Sequence, residues 1–139
     1  MKTLNEIYND IEKSNIAVVN VDFKNKKAGI IHTPENTLIC IDYSKLENTK
    51  EEKIVVAEEY EHYETGTFYK LNSDFNTIDR MEYKVRKHLY NKLIPFSKLK
   101  ELILKNYTTE ELSEYFEVPI KDILMAYFLY TNIENFAYC

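Results

Sequence analysis

The chain has 139 residues, enough for one domain with a real core, and 45% of them are hydrophobic, as in ordinary globular proteins. Only two glycines are present, which leaves no Gly-rich loop for binding nucleotide phosphates. Acidic residues outnumber basic ones by 23 to 18, and the resulting net charge of -5 argues against nonspecific nucleic-acid binding, which needs Lys and Arg to neutralise phosphates.

The first part of the sequence predicts one helix followed by three strands. Residues 3–13 carry apolar side chains at helical spacing, which indicates a short amphipathic helix. Three segments rich in β-branched residues follow, separated by turn-forming residues, at 16–21, 28–32 and 37–41. These segments predict a small three-stranded antiparallel sheet.

The remainder of the sequence predicts helices. Residues 49–52 have the spacing of a capping box, and Gly66 suits the end of the helix that follows. A polar loop is predicted over residues 67–76. The first predicted helix runs from Thr49 to about Glu64, and the second from a cap at 79–82 to just before Pro95. Three further helices are predicted to begin at Ser97, Thr108 and Pro119. The pattern indicates a single α+β domain over residues 1–139, without repeats or linkers.

The first long helix carries the motif Glu58-Glu59-x-x-His62. Glu58 and His62 are four residues apart and project from the same face, with Glu59 rotated by ~100° from Glu58. In HExxH metallopeptidases this spacing supplies two metal ligands and a general base. A carboxylate can replace the first imidazole as a zinc ligand, although its added negative charge favours a harder ion such as Mn²⁺.

A third ligand is expected from the next helix. Two antiparallel helices joined by a loop would bring Glu82 toward the first helix, and Arg86, four residues further on, would hold that carboxylate or neutralise the acidic site. The alternative is a solvated acidic face with His62 as a surface hydrogen-bonding group. Short motifs of this kind often arise by chance, so spacing alone favours the alternative.

Two separated segments resemble ImmA/IrrE-like metallopeptidases carried by phages and mobile elements. Residues 55–65 contain the helix motif, and residues 82–95 end in Leu93-Ile94-Pro95. The order of sheet, active helix, second helix and C-terminal helices also agrees, so the resemblance covers most of the chain. It implies a minimal gluzincin-like fold, in which a small antiparallel sheet packs on the active-site helix pair. The zincin-like core would span residues 1–95 and the C-terminal helical part residues 96–139.

Carried over position by position, the resemblance implies that Glu58, His62 and Glu82 bind Zn²⁺, or Mn²⁺, and that Glu59 is the catalytic base. It implies a metal-dependent endopeptidase that cleaves or inactivates a repressor-type regulator, with a helix-turn-helix repressor as the expected partner. Two positions depart from the family pattern: Glu58 replaces the first His, and Glu61 replaces a Gly and adds a carboxylate near the site. A catalytically inactive antirepressor or protein-interaction module is therefore the alternative function.

The remaining histidines and the C-terminal helices offer weaker signals. His88 is predicted to be a packed structural residue, whereas His32 either has a structural role in its strand or reaches the cleft. Residues 109–128 have the rhythm of a helix-turn-helix, but the second helix contains one Lys and no Arg, so direct nucleic-acid binding is not expected. The apolar run at 128–138 fits an interface, including a homodimer, or burial in the core.

The sequence also bears on localisation. No stretch reaches the ~18 apolar residues of a membrane span, and the N-terminus lacks the hydrophobic core of a signal peptide. Cys40 and Cys139 provide neither a disulfide framework nor a closely spaced metal pair. We therefore expect a cytoplasmic protein without membrane contact.

Overall fold

The computed structural model describes residues 1–68 and 73–137, and the side chains of residues 1–68 and 73–132. Residues 69–72 of the predicted polar loop and Tyr138 of the apolar C-terminal run lie outside the described residues. The elements confirm the predicted α+β class. They are α1 (Leu4–Lys13), β1 (Ala17–Asn20), β2 (Ala28–His32), β3 (Thr37–Ile41), α2 (Thr49–Thr65), α3 (Phe75–Leu93), α4 (Phe96–Leu104), α5 (Thr109–Phe116) and α6 (Ile120–Ala137).

The three strands form a mixed sheet in the order β1-β3-β2, so the prediction of an antiparallel sheet is wrong for one strand pair. β2 and β3 form an antiparallel hairpin, while β1 runs parallel to β3 along its other edge. The chain reverses direction after each strand, so β1 and β3 point the same way. Because β3 lies between β1 and β2, it pairs with β1 in parallel. β3 takes the central position because it is the most apolar strand, with Ile39 and Ile41 fully buried.

α2 begins and ends at residues that satisfy its terminal backbone groups. The N-cap is Asn48 instead of Thr49, because the Asn48 side chain accepts a hydrogen bond of 2.9 Å from the backbone N–H of Glu51. Gly66 ends the helix with a φ of 65°, a left-handed conformation that glycine adopts without steric cost, as predicted. The helix packs against β2, β3, α1 and α3, which places its motif between the sheet and the next helix.

α3 begins five residues earlier than predicted. The side chain of Asp74 accepts a hydrogen bond of 2.8 Å from the backbone N–H of Thr77, so Asp74 caps the helix instead of Asp79. The prediction of a polar loop through residue 76 is therefore wrong at its end, where Phe75 and Asn76 are helical. Glu82 therefore lies about two turns inside α3 instead of in its first turn.

One hydrophobic core joins the sheet to helices from both parts of the chain. Tyr90, Leu99 and Phe116 are almost completely buried in it, and each such side chain stabilises the fold by roughly 1.5–3 kcal/mol. His88 is exposed, so the prediction of a packed histidine is wrong. It lies beside the buried stripe of α3 that contains Leu89, on the solvent side. None of the helices in the described part of the chain is long and apolar enough to cross a membrane.

Candidate metal centre

Glu58 and His62 on α2 converge with Glu82 on α3. Each residue offers one ligand atom, and the three atoms lie within 4.8 Å of one another. Ligand atoms at 2.0–2.2 Å from a tetrahedral zinc ion are separated by roughly 3.4 Å, so a small adjustment of side chains suffices for one ion to bind all three. The structure thus brings together the three residues that the sequence suggested as ligands.

The ring of His62 is oriented by the chain segment that follows α2. Its Nδ1–H donates a hydrogen bond of 2.8 Å to the backbone carbonyl of Thr67, and its Nε2 lies 3.4 Å from Oε1 of Glu82. Metal-binding histidines usually donate the second ring N–H to a carbonyl or carboxylate in this way, which fixes the tautomer. The left-handed turn at Gly66 directs the chain so that the Thr67 carbonyl reaches the ring. The buried His62 therefore directs Nε2 toward the ligand cluster.

The carboxylates of Glu58 and Glu82 lie close together and are partly buried, with the side chain of Glu82 25% exposed. Burial raises the pKa of Glu58, and the adjacent carboxylate of Glu82 raises it further, while Arg86 and His62 oppose this increase. Two neighbouring, partly buried carboxylates repel each other when both are ionised, and a shared proton or a bound cation relieves this repulsion. One nitrogen and two carboxylate oxygens form a donor set that suits Zn²⁺ and, because of the second carboxylate, also Mn²⁺. The site therefore fits a divalent ion.

In the absence of metal, a proton on His62 supplies part of the required positive charge. Burial alone would lower the pKa of His62, but the hydrogen bonds to Glu82 and to the Thr67 carbonyl, together with the charge of Glu59, raise it to about 9. A metal ion must therefore displace this proton, because only the neutral imidazole binds metal.

Glu59 lies beside the ligands, in a cleft of about 760 Å³ between α2 and β2. Burial raises the pKa of its carboxyl to about 7, and Glu58 and Glu82 contribute to the increase, whereas His62 acts against it. A carboxylate with a pKa near 7 can accept a proton from water and release it again at neutral pH. This matches the role of general base that the motif suggested.

The lining of the cleft also includes residues outside the sequence motif, among them Lys26, His32 and Phe68. His32 thus reaches the cleft, which was one of the two alternatives for it. Lys26 and Phe68 were not singled out from the sequence, because a turn and a loop without periodicity give no signal of which side chains face inward. A strand ending in His directly opposite the predicted active helix was the one available indication.

Arg86 and Glu61 have different relations to the ligands. Arg86 borders a cavity of about 340 Å³ together with Glu58, and it also borders a groove beside Glu82. Glu61 does not line the cleft: its buried carboxylate lies 2.5 Å from the Nζ of Lys92, next to the core. The expected additional carboxylate near the site is therefore absent from the cleft, because Glu61 projects from another face of α2.

Comparisons of the chain with protein-family models, curated proteins and solved structures found no match.

Proposed function

We propose that this protein is a metal-dependent endopeptidase. The observation that carries the proposal is the convergence of Glu58, His62 and Glu82 within 4.8 Å beside Glu59, whose pKa is about 7. Glu58, His62 and Glu82 would hold Zn²⁺, or Mn²⁺, with Arg86 balancing the extra carboxylate. Bound metal would supply Lewis-acid polarisation of the scissile carbonyl and a more acidic attacking water.

Glu59 moves the proton in this reaction. As the water oxygen bonds to the carbonyl carbon, Glu59 accepts the water proton and the carbonyl π electrons move to oxygen. The electron pair then returns, the C–N bond breaks, and Glu59 gives the proton to the leaving nitrogen. The neighbouring His62, held by the Thr67 carbonyl, keeps its orientation throughout.

The cleft and the resemblance both support a polypeptide substrate. The cleft borders the edge strand β2, beside which an extended polypeptide can pair as an added strand. The resemblance to ImmA/IrrE-like metallopeptidases supports a repressor-type regulator as the protein substrate. The first candidate to test is a helix-turn-helix repressor encoded by a neighbouring gene.

Metal analysis of the purified protein tests the first part of the proposal. We expect about one Zn²⁺ or Mn²⁺ per chain in the wild type, and a loss of at least tenfold in affinity for His62→Ala and Glu82→Gln. Glu64→Gln is the matched control, because Glu64 lies on the same helix, is exposed and is outside the ligand cluster. Wild-type protein without metal after loading at micromolar zinc would overturn the proposal.

Substitution of the base tests the second part. Glu59→Gln should bind metal at wild-type stoichiometry and lose cleavage of the repressor by a factor of about 10² or more. If Glu59→Gln inactivates the repressor as well as wild type does, without a cleavage product, the protein acts as an antirepressor or interaction module instead.

A further inference from the structure

His32, an exposed residue at the end of β2, lines the same cleft as Glu58, Glu59 and His62. We infer that its Nε2–H donates a hydrogen bond to the oxygen of the scissile carbonyl during peptide cleavage. The inference rests on the proposed peptidase function and adds a second catalytic side chain to it. It begins from the position of His32 on β2, in the same cavity as Glu59 and His62.

The imidazole of His32 is held at one edge by a cross-strand neighbour. His32 and Thr37 are paired in the antiparallel ladder of β2 and β3, and the Nδ1 atom of His32 lies 2.7 Å from Oγ1 of Thr37. Imidazole Nδ1 acts as the acceptor when the hydroxyl donates. The neutral ring then carries its proton on Nε2, which makes this atom a donor.

The flat face of the same ring is held by Phe68. The two rings are stacked with centroids 4.3 Å apart and planes inclined by 3°. Phe68 directly follows Thr67, whose carbonyl accepts the hydrogen bond from His62. Consecutive residues of one segment therefore fix the proposed metal ligand and the ring of His32. Such support reduces the entropy cost of placing a donor before the reaction begins.

A donor in this position has a defined chemical use. When water adds to the peptide carbonyl, the π electron pair moves to the carbonyl oxygen, which gains negative charge. A hydrogen-bond donor already oriented toward that oxygen stabilises the transition state more than the ground state, and removal of one such donor costs about 10²–10³ in kcat. His32 supplies the N–H, and no proton transfer from it is required.

The stacking on Phe68 also fits a purely structural role, so the test must separate the two. His32→Phe retains an aromatic ring for the stack and removes the donor. His32→Gln retains an N–H donor without the ring. His88→Phe makes the same chemical change on the exposed face of α3 and serves as the matched control.

The first measurement is ¹⁵N NMR of the imidazole rings in the metal-free protein, and it does not depend on activity. We expect the Nε2–H tautomer of His32 in the wild type. In Thr37→Val, we expect the population to shift toward the Nδ1–H tautomer. A wild-type ring protonated on Nδ1 in its neutral form would overturn the inference, because Nε2 would then be an acceptor.

The second measurement uses the zinc-loaded protein and a library of peptides from a digested bacterial proteome, followed by kinetics on one cleaved peptide. We expect His32→Phe to reduce kcat about 100-fold with KM, zinc content and the unfolding midpoint unchanged, and His32→Gln to recover part of the loss. Equal kcat for His32→Phe and His88→Phe would overturn the role of His32 while leaving the peptidase proposal intact. No cleavage by wild type would overturn both, whatever tautomer the NMR arm shows.

Discussion

Replacement of Glu59 by Gln is expected to stabilise the metal-free protein above pH 7 and to leave its stability unchanged near pH 4.5. Burial raises the pKa of this carboxyl from 4.5 to about 7. The folded state therefore binds a proton at higher pH than the unfolded state, and the free energy of unfolding falls as pH rises from 4.5 to 7. The difference corresponds to about 3 kcal/mol at pH 8, the cost of keeping an ionised base in the cleft.

This value is an upper limit for the substitution, because it assumes that the amide of the variant fits the site as well as the protonated carboxyl does. The assay is urea unfolding in the presence of a chelator at pH 4.5 and pH 8, followed by circular dichroism. Glu12→Gln is the control, because Glu12 is exposed on α1, away from the cleft. A gain for Glu59→Gln that is the same at both pH values, or absent at pH 8, would refute the assignment of Glu59 as a buried base with a raised pKa.

Three further predictions concern the metal and the core. Between pH 6 and 8, the zinc dissociation constant should fall by about tenfold per pH unit in competition with a chromogenic chelator, since binding displaces the proton that His62 holds with a pKa of about 9. Arg86→Gln should strengthen zinc binding by up to about tenfold in the same assay, because it removes a positive charge that acts on Glu58 and competes with the metal ion; weaker binding would contradict this. Lys92→Met should lower the free energy of unfolding by about 1–3 kcal/mol in a urea titration, because it leaves the buried carboxylate of Glu61 without its ion-pair partner, although Lys92 itself is partly exposed.

The pH dependence of the metal-free protein has the same sign for both raised groups. The proton on Glu59 stabilises the folded state at low pH, and this contribution is lost between pH 4.5 and 7. The proton on His62 stabilises the folded state below pH 6.5, and this contribution is lost as pH rises through about 9. Saturating zinc should reverse the trend above pH 7, because it binds only the folded, deprotonated site.

Local signals predicted most of the elements correctly. The capping residues at Thr108 and Glu111 form the capping box that begins α5, and Gly66 ends α2, because these interactions involve residues three or four apart in sequence. The spacing of Glu58 and His62 likewise follows from the helical period alone. The cap of α3 was predicted at Asp79 and lies at Asp74, so the local pattern gave the wrong start for this helix.

The order of the strands in the sheet could not be predicted from local sequence patterns. Strand positions and direction reversals were readable from the sequence, but the choice of neighbours depends on which strand buries the most apolar surface between the others. β3, with Ile39 and Ile41, occupies the centre for that reason, and its pairing with β1 is parallel as a consequence.

The sequence by itself determined the α2 motif, its helical face and the acidic character of the site. Only the tertiary structure decided that Glu82 approaches His62, that Glu61 turns away to Lys92, and that His32 reaches the cleft. The physical reason is that helical periodicity fixes relations within one turn, whereas contacts between α2, α3 and β2 are set by core packing among residues distant in the chain. The pKa values of Glu59 and His62 belong to the same category, because burial and neighbouring charges exist only after the chain has folded.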